Sequence, residues 1–124
     1  MRTKTIDHFL RATWQAVSKM YNEEASRYGA TMATGLTLLS IDTEEGVPST
    51  SLGPRMGMES TSLSRTLKTM ENQGLIRREP NPQDGRSVLI RLTKEGLEKR
   101  SLSREVVMHF NQVIEESVSP EELE

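Results

Sequence analysis

The centre of the chain, residues 58–93, reads MESTSLSRTLKTMENQGLIRREPNPQDGRSVLIRLT. In its first half Leu63, Leu67 and Met70 recur at i, i+4 and i+7, which predicts a helix over residues 60–73 with one apolar face. The other positions of this segment are mostly small polar or basic residues. We therefore expect a helix that packs one face on a core and leaves the other free for a partner.

A β-hairpin is predicted directly after this helix. Gly74 ends the helix, because glycine adopts the left-handed conformation that closes helices at little cost. Two strand-like segments, residues 75–78 and 87–92, flank the turn-forming run 81–86, which places Arg86 near the tip of the hairpin. A helix with a small-polar and basic face, followed by an arginine-tipped hairpin, is the arrangement with which a winged helix binds duplex DNA.

The polar face of the helix has the chemistry to read base edges. The major groove accommodates one α-helix, and small side chains at the helix N-terminus let the backbone approach closely. Hydroxyl groups can contact phosphates or bases, and Arg65 can form a bidentate contact with guanine. The alternative is an ordinary exposed polar face, which most amphipathic helices possess. The candidate residues are Ser60, Thr61, Ser62, Ser64, Arg65, Lys68 and Thr69.

The hairpin tip supplies a second candidate contact. An arginine on a narrow projection suits the minor groove, where narrow sequences concentrate negative potential. We expect Asp84 to hold the guanidinium of Arg86 by a charge-assisted hydrogen bond. The alternative is a solvated surface ion pair worth under ~1 kcal/mol. Arg77 and Arg78, at the base of the hairpin, are expected to contact phosphates at most.

The charge balance separates the centre of the chain from its flanks. The chain has 124 residues with 16 Lys or Arg and 18 Asp or Glu, a net charge of −2. Residues 48–94 hold eight basic and four acidic residues, a balance of +4, and the remainder carries −6. A basic centre between acidic flanks is expected when one face meets phosphate, although chance clustering of surface charge is the alternative.

Several functional classes are excluded or disfavoured by composition. The chain has no cysteine, which excludes disulfides and thiolate metal sites. The only histidines, His8 and His109, have no acidic neighbours at ligand spacing, so we expect no metal site and no cofactor. We find no nucleophile–base set and no glycine-rich phosphate loop, and therefore predict no enzymatic activity. No apolar run approaches the ~20 residues that span a bilayer, and we expect a cytoplasmic protein without membrane contact.

Helical segments flank the central region on both sides. Apolar residues at helical spacing predict a long first helix over residues 6–28 and a last helix over residues 93–118, with Thr93 as its cap. Two shorter helices are expected over residues 31–43 and 48–55, the second short or distorted because it contains Gly53-Pro54. The first of these two should turn Met32, Leu36, Leu39 and Thr43 inward. A helix as long as the first cannot bury its apolar stripe in a small lobe alone, so it should pack on the last helix, on a second chain, or on both.

The stretch from Leu52 to Gly96 resembles the MarR family of winged-helix transcriptional regulators. An Asp-x-Arg wing followed by Leu-Thr-x-x-Gly is the most specific part of the resemblance. The segments that carry it are STSLSR at 60–65, ENQGLIRR at 71–78, DGRS at 84–87 and LTKEG at 92–96.

The resemblance implies a mainly α fold with a small β-hairpin (α+β): one domain over residues 1–124, with a winged helix-turn-helix lobe at 31–94 and dimerisation helices at 1–30 and 95–124. It implies a homodimer, most often a repressor, on double-stranded DNA with a pseudo-palindromic operator. Residues 60–69 would read the major groove, and Arg86, oriented by Asp84, would enter the minor groove. The predicted DNA-binding residues are Ser49, Thr50, Ser60, Thr61, Ser62, Ser64, Arg65, Lys68, Thr69, Arg77, Asp84 and Arg86.

The resemblance also implies a cleft for a small aromatic effector. Candidates for its lining are His8, Trp14, Met20 and Tyr21, although a Trp or Met on a helical stripe is more often part of a core. The lack of cysteine excludes the thiol-oxidation switch of the peroxide-sensing branch. An alternative function is a protein–protein interaction module built on a winged helix, which should expose an aromatic or aliphatic patch on the lobe.

The family's dimerisation region normally includes one further C-terminal helix. The run Ser119-Pro120-Glu121-Glu122 has the cap, proline and acidic residues of a helix start, but the chain ends two residues later. This pattern indicates a truncated chain or an unusually short tail.

Overall fold

The computed structural model describes residues 5–117, which form five helices and three strands. The chain divides into two compact units, residues 1–32 and 33–124. No helix in the described part of the chain is both long enough and apolar enough to cross a membrane. The elements are α1 (Ile6–Ser26), α2 (Met32–Ser40), β1 (Val47–Pro48), α3 (Ser49–Met56), α4 (Ser60–Asn72), β2 (Ile76–Pro80), β3 (Val88–Leu92) and α5 (Lys94–Ser117).

The first unit consists mainly of α1, which ends at Ser26, two residues earlier than predicted. Gly29 has a φ of +70°, the left-handed conformation expected after this helix. No residue of α1 is buried, and Ile6, Leu10 and Trp14 are 78%, 66% and 54% exposed. The predicted apolar stripe is thus exposed over its first half, whereas Val17, Tyr21 and Ala25 further along it are half-buried.

The second unit contains the buried core of the described chain. Leu63, Leu67 and Met70 of α4 face inward, which confirms the predicted apolar face. They pack with residues of α2, α3 and the sheet, and Met56, Met58 and Val88 cover the cluster at its edge. The other buried apolar residues are Leu38, Ile41, Val47, Leu52, Leu75, Ile76, Ile90 and Leu92.

The hairpin is confirmed, but the sheet has a third strand that the sequence analysis did not find. β2 and β3 pair antiparallel from Ile76 opposite Leu92 to Pro80 opposite Val88. The two-residue β1 pairs with the other side of β3, which gives the strand order β1-β3-β2. Two residues are too few to show the alternation by which strands are recognised in a sequence.

α2 is shorter than expected, and its predicted inner face was wrong. The helix ends at Ser40, and the next residues form a turn in which Asp42 Oδ1 accepts the backbone N–H groups of Glu44 and Glu45 at 2.9 and 2.7 Å. The buried residues are Thr34, Thr37 and Leu38, whereas the predicted Met32, Leu36 and Leu39 are half-buried and Thr43 is exposed. A hydroxyl can enter the core here because Thr37 Oγ1 donates to the Ala33 carbonyl at 2.7 Å.

α3 is short, as its Gly53-Pro54 pair predicts. It spans eight residues and ends at Gly57, whose φ of +62° suits glycine. Its Leu52 is fully buried and anchors the helix on the core.

The start of α5 is fixed to the hairpin by Thr93. Its Oγ1 accepts the Gly96 N–H at 3.1 Å and donates to the Gly74 carbonyl at 2.5 Å, which confirms the predicted cap. Gly96 lies against the Leu75 carbonyl, where a Cβ atom would not fit. Beyond Gly96, α5 buries no described residue, and the helix-start signal after Ser119 lies outside the described residues.

Candidate nucleic-acid interface

The outward face of α4 carries every hydroxyl and cation that the sequence analysis proposed for the major groove. These side chains are exposed, while the opposite face of the helix is buried in the core. The hydroxyl of Thr69 already makes a hydrogen bond within the helix, because its Oγ1 donates to the Arg65 carbonyl at 3.0 Å. The exposed residues are Ser60, Thr61, Ser62, Ser64, Arg65, Lys68 and Thr69.

α3 and α4, the two helices of the predicted helix-turn-helix, line a shallow cleft. The cleft has a volume of about 430 Å³ and is lined by both helices, including Ser49, Thr50 and Ser60. Ser49 is half-buried and Thr50 is exposed. The structure therefore brings the α3 candidates beside the first residue of α4.

The hairpin tip, residues 81–87, is shaped by side-chain hydrogen bonds to its own backbone. Asn81 Oδ1 accepts the Gln83 N–H, and Asn81 Nδ2 donates to Ser87 Oγ, both at 3.0 Å. Asp84 Oδ1 accepts the Arg86 N–H, also at 3.0 Å. These are the turn-closing contacts that Asn and Asp typically make, and they fix the backbone from which Arg86 projects.

The side chain of Arg86 is 96% exposed at the tip. Its Nε lies 3.6 Å from Asp84 Oδ1, beyond the usual hydrogen-bond range of about 2.7–3.2 Å. The expected charge-assisted hydrogen bond is therefore wrong, and the contact is the solvated ion pair that was its alternative. Asp84 instead accepts the backbone N–H of Arg86 and so fixes the backbone from which that side chain projects.

The base of the hairpin holds a charge network that the sequence analysis missed. Glu79 accepts hydrogen bonds from Arg77 Nε at 2.8 Å and from Arg91 Nε at 2.6 Å. Arg91 Nη1 also donates to the Glu44 carbonyl at 2.8 Å. Hydrogen bonds from Arg77 and then Arg91, opposed in part by desolvation, lower the pKa of Glu79 below its usual value. Arg77 thus makes a close hydrogen-bonded ion pair within the protein, whereas the ion pair of Arg86 with Asp84 is longer and solvated.

Two further contacts connect the lobe's elements through arginines. Arg78 Nε lies 3.4 Å from Glu71 Oε2 and so joins β2 to the end of α4. Arg55 Nη1 donates to the Ser40 carbonyl at 3.2 Å, joining α3 to the end of α2. The backbone hydrogen bonds from Glu45 and Glu44 lower the pKa of Asp42 in the adjacent turn.

The residues proposed for an effector cleft are not brought together in the described structure. An apolar groove runs along α1 between Ile6 and Val17, and of the four candidates only Trp14 lines it. His8 instead stacks edge-on against Phe9 with ring centroids 5.7 Å apart. Within residues 5–117 no cluster of three or more His, Asp or Glu side chains could hold a metal ion.

Comparison with known proteins identifies the region that contains these features. Residues 30–88 match the model of the MarR family. The organic hydroperoxide resistance transcriptional regulator of Bacillus subtilis is 34% identical over 87 residues, which are 70% of this chain and 59% of that protein. The match therefore spans about three-fifths of the relative's length. The names of the curated relatives are those of transcriptional regulators, not of enzymes, in agreement with the sequence analysis.

Solved structures agree on the fold across nearly the whole chain. The PcaV transcriptional regulator of Streptomyces coelicolor, crystallised with its natural ligand, has a TM-score of 0.82 at 25% identity, with 99% of this chain and 89% of that chain covered. The S. aureus MepR–DNA complex has a TM-score of 0.85 at 20% identity, with 97% and 89% covered. At that identity the second likeness shows the fold alone.

Proposed function

This chain belongs to the MarR family, and on that premise we propose that it is a sequence-specific DNA-binding transcriptional regulator. The proposal places α4 in the major groove and Arg86 in the minor groove of a pseudo-palindromic operator. The observation that carries it is the combination of an exposed hydroxyl and cation face on α4 with a 96% exposed arginine at the hairpin tip. The protein would act in the cytoplasm, as a repressor.

We further propose that the DNA-binding form is a homodimer, with residues 1–30 and 95–124 as dimerisation helices. α1 exposes the large apolar residues Phe9, Leu10 and Trp14, and α5 exposes Met108, Val113 and Ile114. Monomeric proteins rarely leave contiguous apolar surface of this kind exposed, and homodimer interfaces are rich in it. Two copies related by a two-fold axis would present two copies of α4 to two half-sites.

Release of the operator by a small aromatic ligand is the last element of the proposal. PcaV, which shares the fold over nearly the whole chain, was crystallised with its natural ligand. Because the 124 residues contain no cysteine, a hydroperoxide signal could not act on a thiol within them.

The alternative of a protein–protein interaction module is disfavoured by the surface of the lobe. In the described chain, no large apolar side chain between residues 33 and 96 is strongly exposed. An interaction module of this size would need an aromatic or aliphatic patch at the centre of its interface. Hydroxyls and cations occupy that surface here.

The test is the selection of bound duplexes from a random pool, followed by fluorescence anisotropy. We expect a two-fold related site with half-sites about one helical turn apart. Arg86→Ala should weaken binding about 10- to 100-fold. The slope of log binding constant against log salt concentration should become shallower by about one, the loss of one phosphate contact. Lys94→Ala at the start of α5 removes the same charge from an exposed position outside α4 and the hairpin tip, and serves as the matched control.

Arg65→Ala should relax the preference for one base of the selected site as well as weaken binding. Binding that stays unchanged in both Arg65→Ala and Arg86→Ala would refute the assignment of the DNA-contacting residues. Failure to select any duplex would refute the proposed function itself.

A further inference from the structure

The β2–β3 ribbon brings two arginines face to face. Arg77 and Arg91 are direct partners in its register. Like charges in directly opposed positions of an antiparallel pair destabilise the pairing. The ribbon therefore needs an anion at this point if its base is to hold one geometry.

Glu79 supplies that anion, and it contacts both arginines at once. Its two carboxylate oxygens accept from Arg77 Nε at 2.8 Å and from Arg91 Nε at 2.6 Å. These are short, charge-assisted hydrogen bonds, which are stronger than neutral ones. We refer to Arg77, Glu79 and Arg91 as the wing-base clamp.

The clamp reaches beyond the two strands that carry it. Arg91 Nη1 donates to the carbonyl of Glu44 at 2.8 Å, in the loop that leads from α2 to β1. The Arg91 side chain is 29% exposed, against 56% for Arg77, so Arg91 is the more enclosed of the two. Through Arg91, Glu79 connects the edge strand β2 to the loop on the far side of the sheet.

The clamp extends from the base of the ribbon, where Arg77 and Arg91 pair, to Glu79 near its last pair. Glu79 is one residue before Pro80, whose pairing with Val88 is the last in the ribbon. Beyond this pair, the hydrogen bonds that the described chain shows for the tip run among residues 81–87, where they shape the turn. The direction in which Arg86 projects is thus set at the level of Glu79.

We propose that Glu79 is a positioning residue for DNA binding, which orients the wing, and with it Arg86, by clamping Arg77 and Arg91. This inference rests on the proposed function, because it assigns to Glu79 a role in the same DNA interface. It adds a second carboxylate, besides that of Asp84, to an interface made mainly of hydroxyls and cations.

Glu79→Gln separates a positioning role from a simple charge effect, because the two predict changes in DNA affinity of opposite sign. The substitution keeps the side-chain shape and removes one negative charge. If charge alone mattered, DNA would bind more tightly, with a salt dependence steeper by up to one phosphate contact. If Glu79 positions the wing, binding weakens by about threefold to tenfold, within the range for directly coupled side chains.

The matched control is Glu45→Gln, which makes the same charge change at an exposed position of the loop before β1, outside α4, the clamp and the proposed dimerisation helices. It should leave affinity for the selected duplex within about twofold of wild type, since isolated surface charges contribute little. Thermal denaturation of both variants, followed by circular dichroism, should show a folded protein at the temperature of the binding assay.

The double variant Glu79→Gln/Arg86→Ala tests whether the effect passes through Arg86. A positioning role predicts that Glu79→Gln costs several-fold in the wild-type background and nearly nothing in the Arg86→Ala background. A general loss of structure would weaken both backgrounds equally, and equal losses would overturn the proposal. Tighter binding by Glu79→Gln alone would also overturn it.

Hydrogen exchange of the DNA-free protein gives a readout that does not depend on the proposed function. We expect backbone amides of β2 and β3 to exchange about tenfold faster in Glu79→Gln and at the wild-type rate in Glu45→Gln. Unchanged exchange would overturn the clamp, whatever the binding result. Faster exchange in a protein that binds no duplex would uphold the clamp and refute the proposed DNA-binding function instead.

Discussion

α4 and α1 are both amphipathic, yet they expose opposite kinds of surface. α4 buries Leu63, Leu67 and Met70 and presents hydroxyls and cations to solvent. α1 buries no residue and presents Phe9, Leu10 and Trp14 among its exposed side chains. The exposed surface of each helix is the better guide to its function, because burial of apolar residues needs no functional explanation.

The contrast indicates two kinds of partner. A polar and cationic surface with little apolar area is suited to a phosphate backbone and to base edges. An apolar helix face is suited to another protein surface, where its burial contributes about 25 cal/mol per Å². On this view α4 faces the DNA and α1 faces a second copy of the chain, and each assignment can be tested separately.

The largest expected effect is on the buried face of α4. Leu67→Ala should lower the free energy of unfolding by about 2–5 kcal/mol, because it removes buried methyl groups and leaves a cavity in the core. Phe9→Ala in α1, measured at low protein concentration, should change it by less than about 0.5 kcal/mol. Denaturation by urea monitored by circular dichroism measures both. Equal losses in the two variants would show that α1 packs as closely as α4.

The next effect concerns the self-association of α1. Leu10→Glu places a charge in the apolar groove, and burial of that unpaired charge in an interface should weaken the dimer at least about tenfold. Gln15→Glu makes a comparable change at a polar, exposed position of the same helix and should leave association intact. Sedimentation velocity over a concentration series distinguishes them. A dimer that tolerates Leu10→Glu would mean that a different surface joins the two copies.

The same contrast explains which parts of the fold could be predicted from the sequence. The span of α4 follows from a local pattern, since its apolar residues repeat with the helical period and Gly74, with a φ of +76°, closes it. The hairpin tip follows from Asn81 and Asp84, whose side chains bond to the backbone two residues on. Local chemistry is sufficient for both.

The features that the sequence did not predict depend on residues far apart in the chain, or on a buried hydroxyl whose hydrogen bond is satisfied within the helix. β1 exists because Val47 and Pro48 pair with β3, some forty residues away in the chain. The wing-base clamp requires the register that sets Arg77 opposite Arg91, which no local pattern fixes. Thr37 enters the core because the Ala33 carbonyl accepts its hydroxyl, and an apolar-only pattern passes over such a residue.

The smallest expected effect is on stability and concerns the start of α4, where the exposed polar face begins. Glu59 is the N-cap of α4 and makes no side-chain cap hydrogen bond. Aspartate is among the preferred N-cap residues, and Glu59→Asp keeps the charge that favours a helix N-terminus. We expect a gain of about 0.5–1 kcal/mol in the free energy of unfolding, with DNA affinity unchanged because the net charge is the same. Glu59→Ala, which removes the charge and adds no cap, should lose stability by a few tenths of a kcal/mol. A gain in stability in both variants would mean that the Glu59 side chain itself destabilises the start of α4. The charge of residue 59 would then not stabilise the N-terminus of the helix.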